Sequence, residues 1–318
     1  YILTEGLSQQ KNGAHILDVN VGLPEIDEPQ MLCDAVYNLQ SIIDLPLQLD
    51  TSDFTAMEKA MRLYNGKPMI NSVCGKAESM DNVFPLVQKY GGVVVALTLD
   101  ESGIPDSPDD RVKIAEKIIN EAKKYGIDKK DIIFDTLAMA ISADPNAAFA
   151  TVNALKEIKE RLGCHTSLGV SNISFGLPNR DFVTSTFFAM ALENGLSAAI
   201  MNPHSADMMK TYYAYRALHG YDENCADYIN FASNFVPAQT TGAAAPQPAA
   251  NHQEFKSQLQ KAVVKGLKEQ AGELTAKLLE ETAPLDIVQH EIIPALDIVG
   301  KGYEQKTVYL PQLLMAAE

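Results

Sequence analysis

Residues 131–138 read DIIFDTLA, an apolar run closed by an acid and followed by Thr and small residues. The run is too short for a helix and has no polar face, which is the pattern of a strand buried on both sides. Six other segments repeat it: AHILDVN (14–20), LPLQLDTS (45–52), PMINSV (68–73), GVVVALTLD (92–100), TSLGVSN (166–172) and AAIMNP (198–203). Between these runs the apolar spacing turns helical. Ser107-Pro108-Asp109-Asp110 opens one such helix, with a hydroxyl for an exposed N–H, Pro at the first helical position and carboxylates at the positive end of the dipole. Val112, Ile114, Ile118, Ile119 and Ala122 form its apolar stripe, and Gly126 closes it. Other helices are expected near 1–12, 29–44, 53–65, 77–90, 146–163, 180–194 and 205–219.

Alternating strands and helices leave a barrel or a doubly wound sheet. The polar residues decide between them, because nearly every run ends in Asp or Asn: Asp18 and Asn20, Asp50, Asn71, Asp100, Asp135, Asn172, Asn202. Strand ends converge on one mouth in a barrel, and no GxGxxG follows the first strand. Only seven strands are visible, and a helix precedes the first of them. The expected fold is α/β: a TIM-type (β/α)8 barrel lacking its first strand, in a fragment of a longer protein. The barrel is assigned to residues 1–233. An Ala/Pro-rich, nearly uncharged linker follows over 234–253, and 254–318 reads as a partial all-α bundle. Its helices are expected over 255–266, 267–281 and 284–302, with a last one opening at Leu310.

A net charge of −15 argues against nucleic acid or an anionic membrane as the main partner. Cys33, Cys74, Cys164 and Cys225 lie far apart with no CxxC, which fits reduced thiols in the cytoplasm. The start of the chain shows no signal peptide, so the glycosylation triplet Asn172-Ile173-Ser174 reads as coincidence. The histidines form neither HxH nor HExxH, so no metal is expected, and no GxSxG nucleophile is present.

Asp18, Asp100 and Asn202 serve equally well as helix caps or loop anchors. Asp50, Asn71, Asp135 and Asn172 are the better candidates, each at the polar end of an apolar run and followed by Thr, Ser or a small polar turn. Carboxylates accept hydrogen bonds and an amide both donates and accepts, so two Asp and two Asn around a mouth suit a neutral planar heterocycle with N–H donors and carbonyl acceptors. They suit phosphate poorly.

The segments GAHILDVNVG, LPLQLDTS, KPMINSV, IIFDTLA and GVSNISFGLPNR, in this order and spacing, resemble the pterin-binding barrel of cobalamin-dependent methionine synthases. That barrel is related to methyltetrahydrofolate:corrinoid protein methyltransferases and to dihydropteroate synthases. The end of the chain, ALDIVGKGYEQKTVYLPQLLMAAE (295–318), resembles the helical cap preceding the cobalamin domain. The resemblance implies a methyltransferase module that binds 5-methyltetrahydrofolate and presents its N5-methyl group to cob(I)alamin in methionine synthesis. In this reading Asp50, Asn71 and Asp135 hold the pterin edge and Asn172 hydrogen-bonds near N5. Asp18 and Asn20 line or buttress the pocket, and Tyr303 and Leu310 cover the corrin. From helix pattern alone Tyr303 and Leu310 belong to the bundle core, and Arg180 is a surface residue or a contact for the folate tail. The implied partners are a small-molecule folate and the cobalamin domain of the full-length protein. The alternatives are a methyltransferase serving a separate corrinoid protein and a non-catalytic pterin-binding module. Dihydropteroate synthase is disfavoured because its seventh-strand Lys is replaced here by the amide of GVSN. Without the first strand and a cobalamin domain, the chain by itself is expected to bind folate weakly.

Overall fold

The computed structural model describes residues 1–234, 255, 257–305 and 307–318, so nearly all of the expected linker lies outside the described residues. The chain divides into two compact units. The first comprises Tyr1–Met139, Asn146–Ile173 and Asp181–Tyr228, and the second Ala140–Pro145, Ser174–Arg180 and Ile229–Glu318.

The first unit is built on one parallel sheet of seven strands: β1 (Leu17–Asn20), β2 (Leu47–Asp50), β3 (Met69–Cys74), β4 (Val93–Leu97), β5 (Ile132–Asp135), β6 (His165–Gly169) and β7 (Ala198–Ile200). Each pairs with its sequence neighbours, and among the described residues β7 does not pair with β1. The result is a nearly closed barrel with a seam between its first and last strands. Helix α1 (Ile2–Lys11) precedes β1. The strands alternate with α2 (Glu28–Gln40), α3 (Phe54–Leu63), α4 (Ala77–Tyr90), α5 (Pro108–Lys124), α6 (Ala147–Glu157) and α7 (Arg180–Glu193), and α8 (Ala206–Leu218) follows β7. The helix expected to reach 163 leaves α geometry after α6 and finishes as a π-helical turn over Ile158–Leu162.

Both faces of the sheet are buried, which is why the runs read as continuously apolar. Outward residues Leu17, Val19, Leu47, Leu49, Ile70, Val94, Ile132 and Phe134 pack with Leu32, Val36, Met57, Phe84 and Ile118 of the surrounding helices. At roughly 1.5–3 kcal/mol for each fully buried large side chain, this layer is the main stabilising term. Gly6 lets α1 approach closely, since a Cβ there would stand 2.6 Å from Ile43 Cδ1 and 2.8 Å from Leu39 Cδ2. Inside the barrel Met69, Val95 and Ile133 form a buried plug, with Val93, Leu97 and Ala198 packed against it.

Three strands stop before the Asp or Asn that closes their apolar runs. β4 stops at Leu97, β6 at Gly169 and β7 at Ile200, so Asp100, Asn172 and Asn202 lie beyond the strands rather than at their ends. Asp100 and Asn202 anchor turns, accepting from the N–H of Ser102 and of His204. Ser107 stands at the N-cap of α5 without a side-chain cap bond, whereas Asp53 caps α3 by accepting from Thr55 and Ala56 N–H.

The second unit is helical: α10 (Gln258–Val264), α11 (Lys268–Leu278), α12 (Pro284–Ile287), α13 (Ile293–Glu304) and α14 (Leu310–Ala317), preceded by α9 (Ala226–Asn234), which the sequence pattern did not suggest. A π-helical turn over Val288–Ile292 joins α12 to α13, so the single helix expected over 284–302 is continuous but irregular. Leu259, Val263, Ile287 and Ala295 form its core.

Candidate functional site

Side chains alternate across a strand, so two residues beyond an inward residue the next also points inward. Met69 and Ile133 belong to the interior plug, which puts Asn71 and Asp135 on the barrel's inner face, nearer the carboxyl ends of β3 and β5. Gln48 pairs with Met69 and Asp50 with Asn71, which puts Asp50 on the same face. Three of the expected residues thus meet at one mouth above an apolar floor.

Two rungs between β1 and β2 carry hydrogen-bonded pairs. Asn20 Nδ2 donates to Asp50 Oδ2 at 2.9 Å, while its Oδ1 accepts from Gly22 N–H at 3.0 Å. Asn20 therefore buttresses Asp50. Next to it Thr51 donates to Glu28, which ties the end of β2 to the start of α2. One rung below, Gln48 Nε2 donates to Asp18 Oδ1 at 2.7 Å. Asp18 is thus an inward residue of the barrel and not a cap. Burial pushes its carboxyl up to about 6 despite the Gln48 bond, and the Asp50 charge adds to the shift. The side chain is still open to water through the seam, so burial acts on it less completely than on Asp135.

Asp135 is 7% exposed. Its carboxylate accepts from Leu137 N–H at 2.7 Å and also from the N–H of Gly169. Burial pushes it up to about 6, against the pull of these two bonds and of the Arg111 charge. Gly169, the last residue of β6, is also where Asn172 packs: a Cβ on Gly169 would stand 3.1 Å from Asn172 Nδ2. Asn172 sits in a 3-10 turn, Val170–Ser174, and its side chain is exposed. Asp135 and Asn172 thus approach each other through one glycine.

Sequence reasoning missed Gln48, Ser167 and Gly169. Period-2 alternation from Asp50 leads back to Gln48, but a polar residue inside an apolar run carries no signal of its own. Ser167 is buried, its Oγ has no hydrogen-bond partner among the described residues, and it lines a cavity of about 320 Å³ shared with Asp18, Gln48, Met69 and Ala198. This cavity follows the seam, reaching Ile16 beside β1 and Ile200 of β7, and so lies to one side of the ring of strand-end groups.

In the second unit Arg180 Nε donates to Ser174 Oγ at 3.1 Å. Tyr303 of α13 is 37% exposed; Leu310 at the start of α14 is half-buried and rests on Gly176, where an added Cβ would stand 2.5 Å from Leu310 Cβ, and among the described residues neither belongs to the core around Leu259 and Ala295. Leu314 and Met315 of α14 are exposed as well. Exposed apolar side chains of this kind are chemically suited to lie against a flat macrocycle. Among the described residues no helix is long and apolar enough to cross a membrane, and no three His, Cys, Asp or Glu side chains gather as a metal site requires.

Comparison with known proteins adds to this geometry. The model of a family described as pterin binding enzyme matches residues 1–202, and one described as B12 binding domain matches residues 256–318. The methylcorrinoid:tetrahydrofolate methyltransferase of Eubacterium limosum is 31% identical over 236 residues, covering 72% of this chain and 85% of that protein. The methionine synthase of Mycobacterium tuberculosis is 32% identical over 207 residues, 61% of this chain but 17% of its own length. This chain thus spans about a sixth of that relative. Among solved structures, dihydropteroate synthase of Yersinia pestis with a pterine-sulfa conjugate superposes with a TM-score of 0.57 at 16% identity, covering 69% of this chain and 88% of that one. The enzyme of Xanthomonas albilineans in complex with 7,8-dihydropteroate gives 0.54 at 20% identity, covering 68% and 84%. At these identities the superpositions speak for the fold alone.

Proposed function

The chain belongs to the pterin binding enzyme family, and from that membership we propose that it is a methyltransferase that binds 5-methyltetrahydrofolate at the barrel mouth and presents the N5-methyl group to a corrinoid. The observation that carries this reading is the set Asp50, Asn71 and Asp135 on the inner face of adjacent or near-adjacent strands above an apolar floor. Two acceptors and an amide match the N–H and carbonyl edge of a pterin, and the floor takes its flat face. Asn20 holds the Asp50 carboxylate in one orientation, so that much of the alignment exists before the ligand arrives.

Asn172 is assigned to N5. Breaking the N5–CH3 bond leaves its electron pair on nitrogen, and because an amine anion is a poor leaving group, N5 takes up a proton or a strengthening hydrogen bond as the methyl departs. An amide donates that bond without a positive charge. Cob(I)alamin supplies the nucleophile for the methyl group, and Tyr303 and Leu310 are assigned to cover the corrin. The match of residues 256–318 to a B12 binding domain supports a corrinoid partner carried on the same polypeptide, as in methionine synthesis. The widely spaced cysteines, with no CxxC, accord with a reaction in the cytoplasm. A second reading, a methylcorrinoid:tetrahydrofolate methyltransferase, is favoured by the 85% coverage of that relative.

Calorimetry with 5-methyltetrahydrofolate, followed by demethylation in the presence of cob(I)alamin, tests the assignment. Asn172→Ala is expected to keep most of the binding and lose most of the methyl transfer. No change in either overturns the role of Asn172; the pterin site is overturned if the wild-type chain does not bind, or if Asp135→Asn binds with the affinity of wild type.

A further inference from the structure

Arg111 lies in the first turn of α5 and is 2% exposed. A guanidinium buried this deeply is retained only if its N–H groups are matched by acceptors. Its Nε donates to Pro105 O at 2.8 Å, and its Nη1 donates to Thr136 O at 2.6 Å and Leu137 O at 3.2 Å. Two of these three carbonyls belong to the residues immediately after Asp135. Thr151 of α6 packs on the same turn: its Oγ1 shares one proton between Ala147 O at 2.8 Å and Leu137 O at 3.2 Å and accepts from Arg111 Nη1 at 3.4 Å, and its carbonyl accepts from Thr136 Oγ1 at 3.3 Å.

The turn needs bracing. Leu137 adopts a left-handed conformation, with φ of 64°, which costs a non-glycine residue on the order of 1 kcal/mol or more. That conformation sets the direction of the Leu137 carbonyl, which accepts from Arg111, while the N–H that precedes it donates to the Asp135 carboxylate at 2.7 Å. The carbonyls of 136 and 137 point to Arg111 while the N–H of 137 points to Asp135, so one peptide turn connects the buried cation to the buried anion.

We propose that Arg111 is a positioning residue for the candidate pterin site, holding the 135–137 turn through its carbonyls and supplying the positive charge opposite the Asp135 carboxylate. The inference rests on the pterin reading for its consequence in folate binding, but not for the link between Arg111 and Asp135. The other groups bonded to Asp135 are neutral: Thr98 from β4, which donates to its carbonyl, and Gly169 from β6. Thr151 of α6, which braces the turn, is neutral too. Of the side chains acting on this carboxylate, Arg111 brings the charge.

The test uses the full chain with isotope-labelled Asp carboxyls, Asp135 being identified by its absence in Asp135→Asn. In Arg111→Met, with the fold verified by circular dichroism, the Asp135 midpoint is expected to rise by about one pH unit or more above wild type, as loss of a nearby opposite charge requires. Arg111→Lys keeps the charge but not the fork of donors. Its Asp135 midpoint is expected to stay near wild type while 5-methyltetrahydrofolate affinity drops about tenfold. An unmoved midpoint in folded Arg111→Met overturns the proposal. A second measurement needs no Arg111 variant: the wild-type Arg111 Nε resonance is expected to follow the Asp135 titration and to lose that dependence in Asp135→Asn. A signal that stays flat through the titration overturns it equally. Folate binding by the wild-type chain is measured separately, so failure of the pterin reading shows there and leaves the Arg111 result interpretable.

Discussion

Asn172 Nδ2 rests over the bare Cα of Gly169, where an added Cβ would stand 3.1 Å away. Glycine is thus present for the space that its missing side chain leaves, and not for an unusual backbone angle. Gly169→Ala pushes the amide aside by a few tenths of an ångström. Methyl transfer is expected to fall about ten- to a hundredfold, since small misplacements of a reacting group are costly. Thermal stability should stay within about 1 kcal/mol of wild type, and steady-state assays beside a melting curve separate the two effects.

Asn20 touches Asp50 and no other candidate ligand group. Its role as a buttress predicts that Asn20→Ala weakens 5-methyltetrahydrofolate binding about tenfold, the loss of one bond to a charged acceptor. Asp50→Asn, which alters the acceptor itself, is expected to do more. Calorimetric affinities that rank the two variants in the opposite order would make Asn20 the direct ligand.

Asp18 and Asp135 are both pushed up to about 6. Only the ionised form accepts from two N–H donors, so folate affinity is expected to fall as pH drops through about 6 and to level off above about 7. Titrations between pH 5 and 8 check this. Asp135→Asn should flatten the dependence, leaving the part contributed by Asp18.

The same burial has a cost in stability. A carboxyl whose folded pKa lies above its unfolded value keeps its proton longer in the native state, so stability declines as pH rises from about 4 to about 6. For Asp135 the gap of about two units corresponds to about 3 kcal/mol at 1.4 kcal/mol per unit. Relative to wild type, Asp135→Asn is therefore expected to gain up to about 3 kcal/mol between pH 4 and 7 while losing ligand affinity. Urea denaturation at both pH values measures it.

Ile133 is part of the plug beneath the ring and is 6% exposed. Ile133→Ala leaves a void among Met69 and Val95 and is expected to cost about 2–5 kcal/mol. Folate affinity should fall with it, because the floor under Asn71 and Asp135 loosens. Denaturation and calorimetry on the same variant report both.

Much of this molecule is legible from its residues. Runs such as DIIFDTLA announce strands buried on both faces, and the acids that end them mark the mouth. Strand length is less legible: LTLD and GVSN continue an apolar run past the point where pairing stops, because a loop that folds back over a barrel is itself half-buried. Asn172 therefore reads as a strand end and turns out to sit in a 3-10 turn. Ser107 looks like a cap, yet its hydroxyl makes no such bond, and the notable side chain of that helix start is Arg111, whose burial no local pattern reveals. Hydrogen-bonded pairs such as Asn20 with Asp50 depend on register between strands thirty residues apart, which single-chain periodicity does not contain.

The seam between β1 and β7 sets a gradient of backbone protection. Each of β2 through β6 is laddered on both sides, whereas among the described residues β1 and β7 are laddered on one. Amide hydrogen exchange therefore begins at the outer strands and moves inward, reaching β3, β4 and β5 last. Asn71 and Asp135 sit on those late-exchanging strands, so the parts of the ring that read the ligand outlast the fraying of the margins.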